Sequence, residues 1–115
     1  MSQDVRTDAA KLIRRLKKEG MTISFAESCT GGLLASIMTD NAGASEWFNM
    51  SFITYSNEAK MRILGVEEKA LQKVGAVSAM VAKQMAAGAR NNADSDVAIS
   101  ITAVSYTHLT LPTKA

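Results

Sequence analysis

Residues 22–38, TISFAESCTGGLLASIM, decide the fold. Thr22-Ile23-Ser24-Phe25-Ala26 alternates polar and apolar residues as a short strand does. The polar, glycine-containing elbow Glu27-Ser28-Cys29-Thr30-Gly31-Gly32 comes next. Leu33, Leu34, Ile37 and Met38 then recur at helical spacing, and Asp40-Asn41-Ala42-Gly43 ends the run. Strand, elbow and helix in immediate succession are the unit from which parallel sheets are assembled.

Working outward, Val5, Ala9, Leu12, Ile13 and Leu16 share one face of a helix spanning Val5–Leu16, which Gly20 stops. Downstream the plan repeats. Phe52-Ile53-Thr54-Tyr55 is strand-like, Ser56 or Asn57 caps, and Glu58–Leu64 continues as a helix halted at Gly65. A short helix covers Glu67–Val74. Ser78 caps a longer one running through Val81, Met85 and Ala89 to Ala93, in which Ala82, Ala86, Ala87 and Gly88 permit close packing. Val97-Ala98-Ile99-Ser100-Ile101 is mostly apolar and partly β-branched, as a buried central strand is. The alternation predicts an α/β fold, a three-layer α/β/α arrangement around a largely parallel, mixed sheet.

At 115 residues, 47% hydrophobic and 21% charged, the chain has the composition of one ordinary globular domain. The formal charge of +2 argues against nucleic acid as a partner. Arg14, Arg15, Lys17 and Lys18 crowd onto one stretch and read as a solvated helix face. No apolar run is long enough to span a bilayer, so no membrane partner and a cytoplasmic location are expected. The single Cys29 cannot form an internal disulfide, and no Cys/His spacing fits a metal. The division expected is one domain over residues 1–102 and a non-native tail over 103–115. That tail holds the only His and the only Pro, and it is expected to be extended with few packing contacts, because Tyr106, Leu109 and Leu111 have no designed partners.

In a parallel sheet the carboxyl ends of the strands share one edge, where ligands bind. The elbow, the Tyr55–Lys60 run, and Ser100 with Thr102 would collect there. Amide groups around Thr30, Gly31 and Gly32 can hold an anion or a developing oxyanion. Ser28 is a candidate nucleophile, against plain turn chemistry. Cys29 is its rival, or a small buried hydrophobe. With His108 in the tail, the candidate base is Lys60, in the first turn of its helix; the competing reading is a surface salt bridge. Tyr55 can bond the nucleophile, stack on a flat ring, or be a half-buried strand aromatic. Thr102 can donate to substrate or cap a strand end. Glu27 can orient Lys60 or charge the helix start. Trp47 and Phe48 read as loop-anchoring core rather than a ligand-stacking pair.

The blocks AESCTGGLLASIMTDNAGASEWF, FITYSNEAKMRILGV, GAVS and DVAISIT, from about Asp8 to Thr102, are similar in order and spacing to the C-terminal domain of the CinA family and its stand-alone nicotinamide mononucleotide deamidases. The resemblance implies hydrolysis of nicotinamide mononucleotide to nicotinic acid mononucleotide and ammonia, without cofactor or metal. It assigns catalysis to Ser28 and Lys60 and substrate binding to Thr30, Gly31, Gly32, Tyr55 and Thr102. It also implies a small-molecule nucleotide partner and a homodimer for the complete domain. The alternative it leaves open is a non-catalytic nucleotide-binding or competence- and damage-associated module. The family continues after its Ser-Ile-Thr with a glycine-rich segment where this chain has Ala103-Val104-Ser105, so the C-terminal part of the domain is expected to be missing and the chain inactive.

Overall fold

The structure, a computed structural model, describes residues 3–103 and 106–111, and the side chains of 6–102 and 108–111. The side chains of Val5 and Tyr106 lie outside that set. In chain order the elements are α1 (Gln3–Glu19), β1 (Ile23–Glu27), α2 (Leu33–Thr39), β2 (Phe48–Ile53), α3 (Asn57–Leu64), α4 (Glu68–Val74), α5 (Ala79–Ala93), β3 (Val97–Ala103) and β4 (Tyr106–Thr110). The strands form one mixed sheet in the order β2-β1-β3-β4. β1 pairs parallel with β2 and with β3, and β3 pairs antiparallel with β4.

Alternation along the central strands divides the core between the two faces of the sheet. Ile23, Phe25 and Val97 point to one side, where they meet Ala9, Ile13 and Leu16 of α1, Ile37 and Met38 of α2, and the buried Trp47. Ala26 and Ala98 point to the other, beneath Leu64 of α3, Ala70 and Leu71 of α4, and Val81, Met85, Ala86 and Ala89 of α5. Helices on both faces make the three layers that the alternation predicts. Burying a side chain such as Phe25 contributes about 2–3 kcal/mol.

Small residues bring the second helical layer close. A Cβ at Gly88 would stand 2.0 Å from the backbone oxygen of Leu64, so α5 crosses α3 almost backbone to backbone. Ser100 donates its hydroxyl to the Ala82 carbonyl, and Thr102 donates to Ala76 at 2.6 Å, tying β3 to α5 and to the loop before it.

Two expectations are corrected. The second strand is Phe48–Ile53, not Phe52–Tyr55. It is an edge strand with a half-exposed side-chain pattern, which gives weak alternation, and it starts directly after Trp47, whose carbonyl accepts from Ile23 N at 2.8 Å. The segment expected as a loosely packed tail instead contains β4, whose residues His108 and Leu109 stand opposite Ser100 and Ile99. His108 also lines a groove with Met80, Lys83, Gln84 and Ala87 of α5. The outer backbone groups of β3 require partners, and a returning strand supplies them. Leu109 and Leu111 stay exposed. Residues 104–105 and 112–115 lie outside the described set.

The connection leaving β1 passes to α2 on one face, and that leaving β2 passes to α3 on the other. The parallel carboxyl ends of β1 and β2 lie side by side and bring Ser28 and Tyr55 together, with Ser28 Oγ 3.5 Å from the Tyr55 carbonyl.

Candidate active site

Ser28 follows the last residue of β1 and is held from both sides. Its amide donates to Ile101 O of β3 at 3.0 Å, while Thr54 N, leaving β2, donates to Glu27 O at 2.9 Å. The chain then turns sharply through Gly31 (φ +60) and Gly32 (φ +104). Both lie in the left-handed region that favours glycine. At Gly32 a Cβ would also come 3.0 Å from Ile53 Cδ1.

Inside this elbow sits Glu27, 0% exposed. Its Oε1 accepts from Thr30 Oγ1 at 2.7 Å, Gly32 N at 3.1 Å and Leu34 N at 3.0 Å, and its Oε2 accepts from Ala35 N at 3.1 Å. These satisfy the orphan amides that open α2 and complement its positive end. Of the two roles expected for Glu27, the helix start has it; no hydrogen bond or ion pair joins it to Lys60 among the described residues.

Lys60 arrives from α3. Ser56 caps that helix by accepting from Ala59 N at 3.0 Å, and Gly65 at φ +71 closes it. Between these stops, Lys60 and Leu64 sit four residues apart on the buried stripe. Lys60 is 1% exposed and Ser28 6%. Lys60 Nζ lies 3.1 Å from Ser28 Oγ and donates to the Tyr55 carbonyl at 2.7 Å. Ser28 Oγ stands 3.5 Å from the same carbonyl. Burial lowers the Lys60 pKa from its ordinary 10.5, opposed in part by the charge of the neighbouring Cys29. No carboxylate forms an ion pair with it among the described residues. The surface salt bridge considered for Lys60 is thereby corrected.

The other candidates divide. Tyr55 contributes its backbone carbonyl to both polar side chains, whereas its ring is 76% exposed, not a half-buried strand aromatic. Cys29 is exposed, so it is no buried hydrophobe. Thr30 gives its hydroxyl proton to Glu27, and Thr102, which is buried, gives its proton to Ala76. The Gly31 amide donates to Ser28 O at 3.3 Å and the Gly32 amide to Glu27. The donors without a protein acceptor among the described residues are the Cys29 and Thr30 amides, one step nearer Ser28 than the expected set. Thr54, beside this site, buries a hydroxyl that has no hydrogen-bond partner among the described residues. No group of three or more His, Cys, Asp or Glu among the described residues could hold a metal ion, and no described helix is long and apolar enough to cross a membrane.

One feature escaped the sequence reading, and another was read there only in part. A backbone carbonyl such as that of Tyr55 has no residue signature. Glu27 carried a signal, a carboxylate just ahead of a glycine-rich helix start, but its burial depends on β1 being central.

Known proteins match this arrangement. The family model of the CinA C-terminal domain matches residues 6–108. The chain is 51% identical over 89 residues to the nicotinamide-nucleotide amidohydrolase PncC of Escherichia coli K12, covering 77% of this chain and 54% of that protein. It is 52% identical over 91 residues to a CinA-like protein of Geobacter sulfurreducens, covering 79% of this chain and 22% of that one. The crystal structure of the competence/damage inducible protein CihA from Agrobacterium tumefaciens superposes with a TM-score of 0.82 at 39% identity, over 87% of this chain and 61% of that chain. The chain thus spans about half the length of the curated amidohydrolase it matches. With the family model covering nearly all of it, the chain belongs to the CinA C-terminal domain family.

Proposed function

We propose that the Ser28–Lys60 pair hydrolyses the carboxamide of nicotinamide mononucleotide, giving nicotinic acid mononucleotide and ammonia. The observation that carries this reading is the 3.1 Å contact between a buried lysine amine and a serine hydroxyl, with no carboxylate to pair the amine. Burying an unpaired ammonium is costly, and a lysine held there in its neutral form is a base. Relatives named nicotinamide-nucleotide amidohydrolase support this choice of substrate.

In this mechanism the neutral Lys60 amine donates one N–H to the Tyr55 carbonyl, which turns its lone pair toward Ser28. Lys60 takes the hydroxyl proton as Ser28 Oγ bonds to the carboxamide carbon. The Cys29 and Thr30 amides receive the oxygen that becomes negative. Lys60 passes its proton to the departing nitrogen, the C–N bond breaks and ammonia leaves. Water then attacks the acyl-serine with Lys60 again as base, and Ser28 regains its proton. The Tyr55 side chain, which is exposed, is free to stack on the pyridine.

A module that holds a nucleotide without turnover gives no reason to bury an unpaired amine against a serine. The test is ammonia release from nicotinamide mononucleotide by this sequence extended to the length of its curated relatives, and by the Ser28→Ala variant of that extended domain. Release that persists in the variant overturns the reading, as does its absence in a folded extended domain that binds the nucleotide.

A further inference from the structure

Among the described residues Glu27 is the one buried acid, and the reaction above makes no direct use of it. A helix start is ordinarily an attractive place for an anion. Here the carboxylate of the chain itself occupies that place, taking the amides of Gly32, Leu34 and Ala35. Its negative charge is fixed within the turn that carries Ser28, fully shielded from water, and linked through the Thr30 hydroxyl to the residue whose amide is open.

We propose that Glu27 is a specificity-determining, positioning residue that makes the elbow accept a neutral carboxamide and reject an anionic carboxylate. The inference rests on the deamidase reading for its ligands. A carbonyl oxygen bound at the Cys29 and Thr30 amides is neutral and tolerates the nearby carboxylate. An anion there is repelled, in a setting where solvent screens poorly. During reaction the developing oxyanion is offset by the ammonium that Lys60 becomes when it takes the Ser28 proton. Collapse of the second intermediate returns the proton from Lys60 to Ser28 and frees the neutral acid, which then gives its own proton to water; with Lys60 again a neutral amine, the carboxylate so formed has no counter-charge beside Glu27. Glu27 would thus favour binding of the amide and expulsion of the acid.

The experiment uses the full chain in a Ser28→Ala background, so that calorimetry reads binding without turnover. Nicotinamide mononucleotide should bind about tenfold or more tightly than nicotinic acid mononucleotide, and Glu27→Gln should reduce that ratio by about fivefold or more, mainly by tightening the acid. A ratio unchanged by Glu27→Gln overturns the proposal, because a merely structural role would weaken both ligands alike. Should Glu27→Gln not fold, the background ratio decides: equal affinity for the two nucleotides overturns the proposal, and preference for the amide supports it. If neither nucleotide binds, the deamidase reading fails on its own account. Inorganic phosphate is then the probe, and tighter phosphate binding by Glu27→Gln than by its parent supports the proposal, whereas equal binding overturns it.

Discussion

Lys60 Nζ and Ser28 Oγ stand 3.1 Å apart, on side chains brought together from α3 and from the end of β1. Neither helix α3 nor strand β1 makes this contact alone. It needs the parallel pairing of β1 with β2, which sets the start of α3 beside the end of β1. The hydroxyl that contacts Lys60 belongs to Ser28, so in a domain extended to the length of its curated relatives Ser28→Ala should abolish ammonia release. Cys29→Ala should keep most of it, since Cys29 is exposed and the Lys60 amine contacts Ser28 Oγ and the Tyr55 carbonyl rather than its thiol. Paired thermal melts check that both variants fold. Loss in Cys29→Ala with retention in Ser28→Ala would move the nucleophile to the thiol.

Lys60→Met should remove turnover while nucleotide binding stays within about tenfold, because a base acts on the barrier more than on the ground state. Lys60→Arg should not restore it, since a guanidinium keeps its proton near neutral pH. Single-turnover assays beside calorimetry separate the two effects. Substantial activity in the arginine variant would rule out proton abstraction at this position.

The lowered Lys60 pKa has a second consequence, in stability. Between the lowered value and the ordinary 10.5, the unfolded chain binds a proton that the folded chain does not. Stability attributable to this group therefore rises with pH across that window and is at its poorest below it. Wild type measured against Lys60→Met should become relatively more stable as pH climbs toward 10.5. The base should follow the same direction, with turnover lost as pH falls through the lowered value. Urea unfolding of both proteins at several pH values checks the slope, and a flat difference would mean that the amine titrates alike in both states.

Gly88→Ala should destabilise the fold severely, by about 3 kcal/mol or more, because the added Cβ would lie 2.0 Å from Leu64 O, a backbone atom that cannot rotate away. An ordinary helix surface would gain up to about 1 kcal/mol from the same change. Denaturant midpoints distinguish the two, and a stabilised variant would show that α3 and α5 are not in such close contact.

That small-residue stripe was legible because its spacing is local to one helix. The helix boundaries, the Ser56 and Ser78 caps and the strand–elbow–helix unit were legible for the same reason. Phe48–Ile53 was not, since an edge strand buries too little to impose alternation. Ser28 and Lys60 could be named as a pair, but nothing local fixed the contact between them. The Tyr55 carbonyl that orients the amine belongs to the backbone, and the Cys29 and Thr30 amides became the open donors only once Glu27 had claimed those farther along.

The strand β4 offers the sharpest test of the C-terminal segment. Its pairing extends from Ala98 opposite Thr110 to Ala103 opposite Tyr106, and it covers the edge of β3. Without it, a central, largely apolar strand would present an open row of amides and carbonyls, a template for pairing with another copy. A chain ended after Ala103 should therefore melt at a lower temperature than residues 1–115 and should associate as its concentration rises. Sedimentation velocity and thermal unfolding of the two chains, run side by side, measure both effects. A shortened chain that stays monomeric and melts at the same temperature would mean that β4 adds nothing to the sheet. The original expectation of an extended, unpacked tail would then stand for the protein in solution. Calorimetric binding of nicotinamide mononucleotide by the two chains reads out separately whether the Ser28–Lys60 pair, at the end of a strand two places from β4, depends on that edge.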